Sequence, residues 1–267
     1  ELGYKWTVLV WRERKNKAFM ASTVPTKGGM GHFGVDKCVE FIGENGDKER
    51  DIIVKSDQES SAQFLIKEIV EQRVEGRTLV EESPVKSSGS NGIVERAVQE
   101  VEGIIRALFG GLQERLGRKV DSRERIVAFI PEYAAYLLNR FHVGNDGKVP
   151  YERIKGKKPS VLGVEFGEKV LYKVKAGQKM GKLEDRWRHG IFVGVRKRSN
   201  ELWVSRPEGI LAVRSIRRIP LEKRWGEDCV NWVQWAPWHK YKDDEGADGD
   251  VPEGVPVEDQ VKGLGEK

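Results

Sequence analysis

The spacing of apolar residues changes once along this chain, near residue 161, and this change restricts the folds open to it. Before that point, strand-like runs alternate with runs at helical spacing. Strands are predicted over 4–12, 17–24, 51–56 and 78–80, and helices over 33–45 and 62–74. After it, as far as about residue 218, the pattern is typical of short strands alone. The sequence therefore predicts an α/β unit followed by a small all-β module.

Two longer helices are predicted between these regions. A loop over 83–92, rich in Ser and Gly, precedes a helix over 93–116 whose apolar residues share one face. A second helix begins near Asp121–Ser122 and continues to Phe141, and Pro131 is expected to kink or split it. In the all-β module, strands are predicted over 169–174, 190–195, 201–204 and 209–213.

The formal net charge is +5, but the charged residues are distributed very unevenly along the chain. Residues 173–224 carry fifteen Lys and Arg but only five Asp and Glu, whereas residues 241–267 carry three Lys and nine Asp and Glu. A basic block of this kind favours a polyanionic partner, most simply nucleic acid, and the alternative is a solvated lysine-rich surface. Trp187 and Trp203 lie inside the block and could stack on bases.

Several classes of protein are excluded by composition. No run approaches 18 apolar residues, so no transmembrane helix is expected. Two cysteines, Cys38 and Cys229, cannot form a disulfide scaffold or a four-cysteine zinc site, and we expect them to be ordinary core or surface residues. The four histidines show no metal-ligand spacing. The chain starts at Glu1 rather than Met, so we expect it to be a piece of a longer reading frame.

Two carboxylates stand where α/β folds often bind metal. Asp57 directly follows a predicted buried strand, and Glu95 lies at the start of the long helix, with 37 residues between them. Hard oxygen ligands of this kind suit Mg²⁺, which could assist phosphodiester chemistry. The alternative is structural: Asp after a strand forms turns, and Glu early in a helix complements its dipole.

Five short segments resemble, in order, the integrase of copia-type retrotransposons. They are Ser56-Asp57 with Ser83-Pro84 and Asn91–Arg96; Ala134–Arg140; Val149–Glu152; Gly156–Pro159 with Phe166-Gly167; and Gly190–Gly194. The resemblance covers about residues 3–220 and combines a retroviral-type catalytic core with an SH3-like β-module of a Pol polyprotein.

The resemblance implies an RNase H-like mixed sheet with flanking helices, then the SH3-like β-module and a disordered acidic tail. The catalytic core would span 1–143, without its first strand, and a linker would span 144–160. The basic β-module would occupy 161–224, and a Trp-containing segment with the acidic tail would occupy 225–267.

The implied activity is metal-dependent cutting and joining of element DNA ends into target DNA, with Mg²⁺ or Mn²⁺. By resemblance, Asp57 and Glu95 are the second and third members of an acidic triad. The first Asp should lie on a strand before the 4–12 strand, so this chain alone is expected to be inactive. Glu59 replaces a residue that is usually small in the family, and the Asp–Glu interval is slightly long.

DNA is the expected partner, with self-association into a homo-oligomer, no membrane, and a location in the nucleus or in a cytoplasmic virus-like particle. Lys55, Lys86, Asn91 and Arg96 flank the carboxylates and could hold phosphates, although solubility and turn formation would also explain them. In the β-module the candidates are Arg186, Arg188, Arg196, Lys197 and Arg198. The last three are expected at a hairpin tip, where Ser199-Asn200 supplies the turn.

Two other interpretations compete with this one. The chain could be a non-catalytic nucleic-acid-binding relic of a decayed element, as the missing first Asp would suggest. It could also be a general RNase H-like nuclease, which would not predict the segment from Tyr151 to Gly167. The upstream coding sequence would discriminate between enzyme and relic.

Overall fold

The computed structural model describes residues 6–25, 32–56, 59–82, 88–160, 162–174 and 184–239, and it describes only the backbone at 82 and 88–91. The strands are β1 (Thr7–Arg12), β2 (Phe19–Val24), β3 (Ile52–Ser56), β4 (Thr78–Glu82), β5 (Lys169–Lys173), β6 (Trp187–Val195), β7 (Leu202–Arg206), β8 (Gly209–Val213) and β9 (Ile216–Arg218). The α-helices are α1 (Phe33–Glu44), α2 (Ser60–Gln72), α3 (Ser88–Leu116), α4 (Ile130–Phe141), α5 (Pro150–Lys155) and α6 (Asp228–Asn231).

The strands form three sheets within the described residues. β1 pairs antiparallel with β2 from Thr7 opposite Val24, and β3 pairs parallel with β4. The remaining strands form an antiparallel sheet in the order β8-β7-β6-β5-β9. The fold is thus mixed α/β with a strand-rich C-terminal part, as predicted, but the first four strands form two separate pairs.

The β1–β2 hairpin lies between two layers of helices and packs one face against each. Side chains of successive strand residues point to opposite faces. Phe19 and Ala21, with Val8 and Val10, pack against the face made by Ala97 and Val101 of α3 and by Ala135 and Leu138 of α4. Ala18 and Met20, with Leu9 and Trp11, pack against α1 and α2 on the other face. All six residues of β2 are buried, so β2 is the centre of this part.

The free edge of β2 is closed by one side chain. The Asn139 amide accepts a hydrogen bond from the backbone N–H of Phe19 at 2.8 Å and donates one to the Phe19 carbonyl at 2.7 Å. A carboxamide has the donor and acceptor of a peptide group, so Asn139 takes the place of a neighbouring strand. Asn139 belongs to α4, and these bonds fix the position of that helix along β2.

A third core joins the C-terminal sheet to α4. Tyr133 of α4 stacks on Phe166 and contacts Phe192 of β6 edge-on, with both ring centroids 5.5 Å away. The same core includes Leu112 of α3 and extends to Cys229 and Val233. The hydrophobic core therefore crosses the predicted boundary at 144–160, and the β-module packs directly on the helices before it.

Several predicted boundaries are wrong. The helix α3 begins at Ser88, so residues 88–92 are helical rather than part of a loop. At Pro131, by contrast, the predicted split is confirmed: a 3-10 helix over Arg125–Phe129 precedes α4, and Pro131 stands in the first turn of α4, where no N–H is needed. The predicted linker contains α5, where Glu152 accepts a hydrogen bond from the Val149 N–H.

The cysteines and the Trp-rich segment belong to these cores. Cys38 and Cys229 are buried free thiols, as the core interpretation predicted, and burial raises the pKa of both. Trp238 packs against Trp6 and Phe33, which attaches the segment after α6 to the first part. The predicted acidic tail lies outside the described residues.

We expect Asn139→Ala to lower the free energy of unfolding by about 1–3 kcal/mol, because the buried N–H and C=O of Phe19 would lose their partners. Urea denaturation of both proteins measures the difference. Asn231→Ala, at an exposed position in α6, is the matched control and should change little. Equal stability of the Asn139 variant and the wild type would contradict the edge-closing role.

Candidate functional site

Glu95 lies near the start of α3 with its side chain exposed to solvent. It borders an open cavity of about 590 Å³ that is also lined by Gly92, Arg96, Gln99 and Glu100. Within the described part of the chain, no hydrogen bond or ion pair engages the Glu95 carboxylate. An exposed carboxylate that lines an open cavity can bind a cation.

The other predicted carboxylate, Asp57, lies outside the described residues, as does Lys86. The strand β3 ends at Ser56, directly before Asp57, as the sequence predicted. The approach of the Asp57 and Glu95 carboxylates therefore stays a prediction.

A metal site needs more ligands than the described residues provide. Across the ranges that the structure describes, no three His, Cys, Asp or Glu side chains come together in a way that could hold a metal ion. Glu95 by itself is one oxygen donor, whereas Mg²⁺ takes six ligands and usually one or two carboxylates. The described residues alone do not fit a metal centre, and the predicted Mg²⁺ site would need further groups such as Asp57.

Two of the residues predicted to bind phosphate, Lys55 and Arg96, form ion pairs with carboxylates. Lys55 of β3 lies 3.6 Å from the Glu81 carboxylate of β4, and Arg96 forms an i,i+4 pair with Glu100 at 3.0 Å. Asn91 lies within α3 rather than in a turn, so the turn interpretation is wrong for it. The charges of Lys55 and Arg96 are thus partly offset by neighbouring carboxylates.

Sequence reasoning missed a polar cluster next to the cavity. Glu100 lies 3.8 Å from Nδ1 of His142, the residue that follows α4. His142 packs on the Phe19 ring, and the Arg12 guanidinium lies 3.6 Å from the centroid of the same ring. Burial lowers the pKa of Arg12, and Glu100 opposes that effect. No spacing in the sequence signals this cluster, because it joins β1, α3 and the end of α4.

Arg196, Lys197 and Arg198 lie at the predicted hairpin tip, between β6 and β7. Asn200 completes the turn with a left-handed backbone, φ 55°. The tip contacts the first part of the molecule: Lys197 lies 3.9 Å from Glu44 of α1, and Asn200 accepts a hydrogen bond from Arg140 at 3.2 Å. Arg196 pairs with Glu201 at 3.5 Å, so Arg198 is the most exposed cation of the three.

The contact between the tip and α1 includes a perturbed carboxyl group. Burial raises the pKa of Glu44, and Lys197 acts in the opposite direction. One carboxylate oxygen of Glu44, Oε1, is buried without a hydrogen-bond partner. The protonated form of Glu44 is therefore favoured in the folded protein relative to the unfolded chain.

Arg186 and Arg188 flank Trp187 at the start of β6, and both are exposed. The two tryptophans of the basic block differ sharply. Trp203 is only 4% exposed and belongs to the third core, whereas Trp187 is half-buried. Of these two rings, Trp187 alone remains available for stacking on a ligand.

No helix within the described ranges is both long and apolar enough to cross a membrane.

Comparisons with known proteins give only distant likenesses. Neither a family model nor a curated protein matches the chain. A chain in the cryoEM structure of the simian T-cell lymphotropic virus intasome in complex with PP2A regulatory subunit B56 gamma is 12% identical. The alignment covers 80% of this chain and 73% of that one, with a TM-score of 0.42.

The catalytic core domain of BIV integrase is 17% identical over 56% of this chain and 86% of that chain, with a TM-score of 0.38. At these TM-scores the likeness gives no support to any particular function. The function of this chain has to be inferred from its own residues.

We expect joint replacement of Arg196, Lys197 and Arg198 by Ala to reduce the salt dependence of duplex binding by the equivalent of about one phosphate, roughly 0.9 in the slope of log K against log salt. Of the three, only Arg198 forms no ion pair with a carboxylate in the described part of the chain. Binding to duplex DNA over a range of KCl concentrations measures the slope. A reduction equivalent to about three phosphates would show that Arg196 and Lys197 also leave their carboxylates to bind DNA.

We expect the free energy of unfolding of the wild type to fall, relative to that of Glu44→Gln, as pH rises from about 4 to about 7. The raised pKa means that the folded state holds the Glu44 proton more tightly. This stabilisation is complete below the usual glutamate pKa and is lost as pH rises through the raised value. Urea denaturation across this range measures the difference, and Glu49→Gln, at an exposed position, is the control. Parallel curves would refute the argument.

Proposed function

We propose that this chain is part of an integrase-type polynucleotidyl transferase, in which an α/β core joins DNA ends and a basic β-module holds DNA. The observation that carries the proposal is Glu95, an exposed carboxylate of α3 that lines an open cavity and has no partner in the described part of the chain. By resemblance it is the third member of the acidic triad, and it lies in the first of five segments that follow the family's order.

The proposed acidic centre consists of Asp57 after β3, Glu95 on α3 and a carboxylate that precedes β1. Metal dependence, with Mg²⁺ or Mn²⁺, is part of the proposal and requires Asp57 together with that further carboxylate. Glu95 would contribute one oxygen ligand from a rigid helix, whose position is fixed by packing against β1 and α4.

The pairing of the first four strands supports an additional strand between them. Among the described residues, β1 pairs only with β2 and β3 only with β4. Leu9 and Trp11 of β1 nevertheless share one core with Ile52 of β3. We propose that a strand preceding β1 lies between β1 and β3, which would unite the two pairs in one mixed sheet.

An uncovered face of the β3–β4 pair is consistent with an incomplete sheet. Ile53 and Leu79 are directly opposite each other, and their side chains are 66% and 55% exposed. Parallel strands are ordinarily covered on both faces, so such exposure is unusual. A complete sheet would give this face a larger surface on which another element could pack.

The proposed partners are DNA element ends and target DNA, bound mainly through phosphates by the β-module. Self-association and a location in the nucleus or in a cytoplasmic virus-like particle belong to the same proposal. The alternative is a nucleic-acid-binding chain without catalysis. It is favoured by the ion pairs of Lys55 and Arg96, which offset two of the charges nearest the proposed centre.

We expect the purified 267-residue chain to show no joining of element-end DNA with Mg²⁺ or Mn²⁺, because the proposed centre also requires the carboxylate of the proposed strand before β1. A version extended upstream through the preceding strand should join DNA ends, and Asp57→Asn or Glu95→Gln should each abolish that reaction without reducing DNA binding. A gel-based strand-transfer assay and a parallel binding assay separate the two effects.

Glu102→Gln is the matched control, because Glu102 is an exposed carboxylate of α3 that pairs with Arg106. It should leave joining unchanged. If the extended chain binds DNA but joins no ends, the non-catalytic alternative is correct. If joining survives Glu95→Gln, Glu95 is not part of the centre.

A further inference from the structure

The cations of the basic block divide into two groups once their partners are known. Ion pairs with carboxylates engage Arg196, Lys197, Arg206, Arg214, Arg218 and Arg224. Across the described residues of 173–224, no ion pair engages Lys173, Arg186, Arg188, Arg198, Arg217 or Lys223. Three of these unpaired cations lie on strands, Lys173 on β5, Arg188 on β6 and Arg217 on β9, and Arg186 directly precedes β6.

The register of the sheet brings part of this group onto one face. Lys173 of β5 lies directly opposite Trp187 of β6, and Leu171 lies opposite both His189 of β6 and Arg217 of β9. Residues that face each other across an antiparallel pair share a side of the sheet, with Cβ atoms about 4.5–5.5 Å apart. Lys173, His189 and Arg217 are exposed, and we call this surface, with Leu171 and Trp187, the Trp187 patch.

The opposite face of the same strands is the core. Val170 and Tyr172, the residues that alternate with Leu171 and Lys173, are 0% and 2% exposed and pack in the third core. At the far end of the outer face, Lys169 pairs with Asp228 of α6 at 2.5 Å. The Trp187 patch is therefore the part of this outer face that α6 leaves uncovered.

An aromatic ring and a planar cation are stacked at the centre of the patch. The Arg217 guanidinium lies 4.2 Å from the centroid of the Trp187 ring. This contact holds the half-buried indole in place on the same face as Lys173 and His189. Glu184 and Asp185 precede the patch in sequence, and neither forms an ion pair with its cations.

We propose that the Trp187 patch binds unpaired nucleotides of a single-stranded polynucleotide, with a base stacked at Trp187 and Arg217 and phosphates beside Lys173. This inference rests on the proposed nucleic-acid function and specifies its surface and ligand. Single strands offer free base faces, and their recognition combines cationic grooves with aromatic stacking. A duplex buries its base faces, so it could use only the charges of the patch and leave Trp187 without a role.

The test compares ligands that separate bases from charge, using the full 267-residue chain. The ligands are an oligothymidylate, an abasic oligomer of the same length, the equivalent oligouridylate, and a DNA duplex. Fluorescence anisotropy with labelled ligands gives each affinity, and urea denaturation confirms that every variant is folded. The two homopolymers show whether DNA or RNA is preferred on the same patch.

We expect Trp187→Ala to weaken oligothymidylate binding roughly 10- to 100-fold, the effect typical of removing one stacked base. Binding of the abasic oligomer and of the duplex should be unchanged, and Trp187→Phe should retain most of the affinity. Lys173→Gln with Arg217→Gln should weaken both single-stranded ligands and lower the salt slope by about 0.7 for each phosphate that is no longer neutralised. Arg206→Gln with Arg214→Gln, at two ion-paired positions of the same module, is the charge-matched control.

The proposal is overturned if Trp187→Ala leaves oligothymidylate binding unchanged, or if it weakens the abasic oligomer equally. An effect of the control pair equal to that of the patch pair would also overturn it, because charge alone would then explain binding. The integrase proposal is tested separately. Joining by the extended chain, with oligothymidylate binding that does not depend on Trp187, would overturn only the patch proposal. Trp187-dependent binding without joining would overturn only the integrase proposal.

Discussion

The burial of both faces of β2 is the constraint on which the rest of the first part depends. Period-two alternation along β1 and β2 assigns one set of side chains to α1 and α2 and the other to α3 and α4. At the edge of β2 that does not pair with β1, the buried N–H and C=O of Phe19 would lack hydrogen-bond partners. The Asn139 amide bonds to both groups and so fixes the position of α4 along β2. The position of Glu95 follows, because α3 is held against the same hairpin.

The helix α4, held in place on β2, also packs against the C-terminal sheet and so positions that sheet relative to the hairpin. Tyr133 packs between Phe166 and Phe192, and the Arg140 guanidinium lies over the rings of Tyr136 and Tyr151. Gly167 is required here, since its φ is 82° and a Cβ would lie 2.7 Å from Leu112. Several of the segments that resemble the integrase family therefore supply residues to the interface between α4 and the C-terminal sheet.

Ion pairing decides which charges of the basic block can serve a ligand. A cation held by a carboxylate must exchange that partner for a phosphate, whereas an unpaired one gives up only its hydration. Arg218 and Arg224 surround the fully buried Glu168, so their charges stabilise the module itself. Lys173 and Arg217 have no such role. The same net charge thus divides into a structural set and an accessible set, which the count of Lys and Arg alone cannot distinguish.

By itself, the sequence determined the existence and type of the main strands and helices, the strand-rich end of the chain, and the place of Glu95 near the start of a long helix. Local periodicity is enough for these features, because it records which face of an element is buried. It failed at the start of α3, where side-chain composition is compatible with both helix and loop. The partners of Lys55, Arg96 and Lys197 and the opposite environments of Trp187 and Trp203 were decided only by the tertiary structure. These contacts join residues that are distant in sequence or lie on different strands, so no local pattern encodes them.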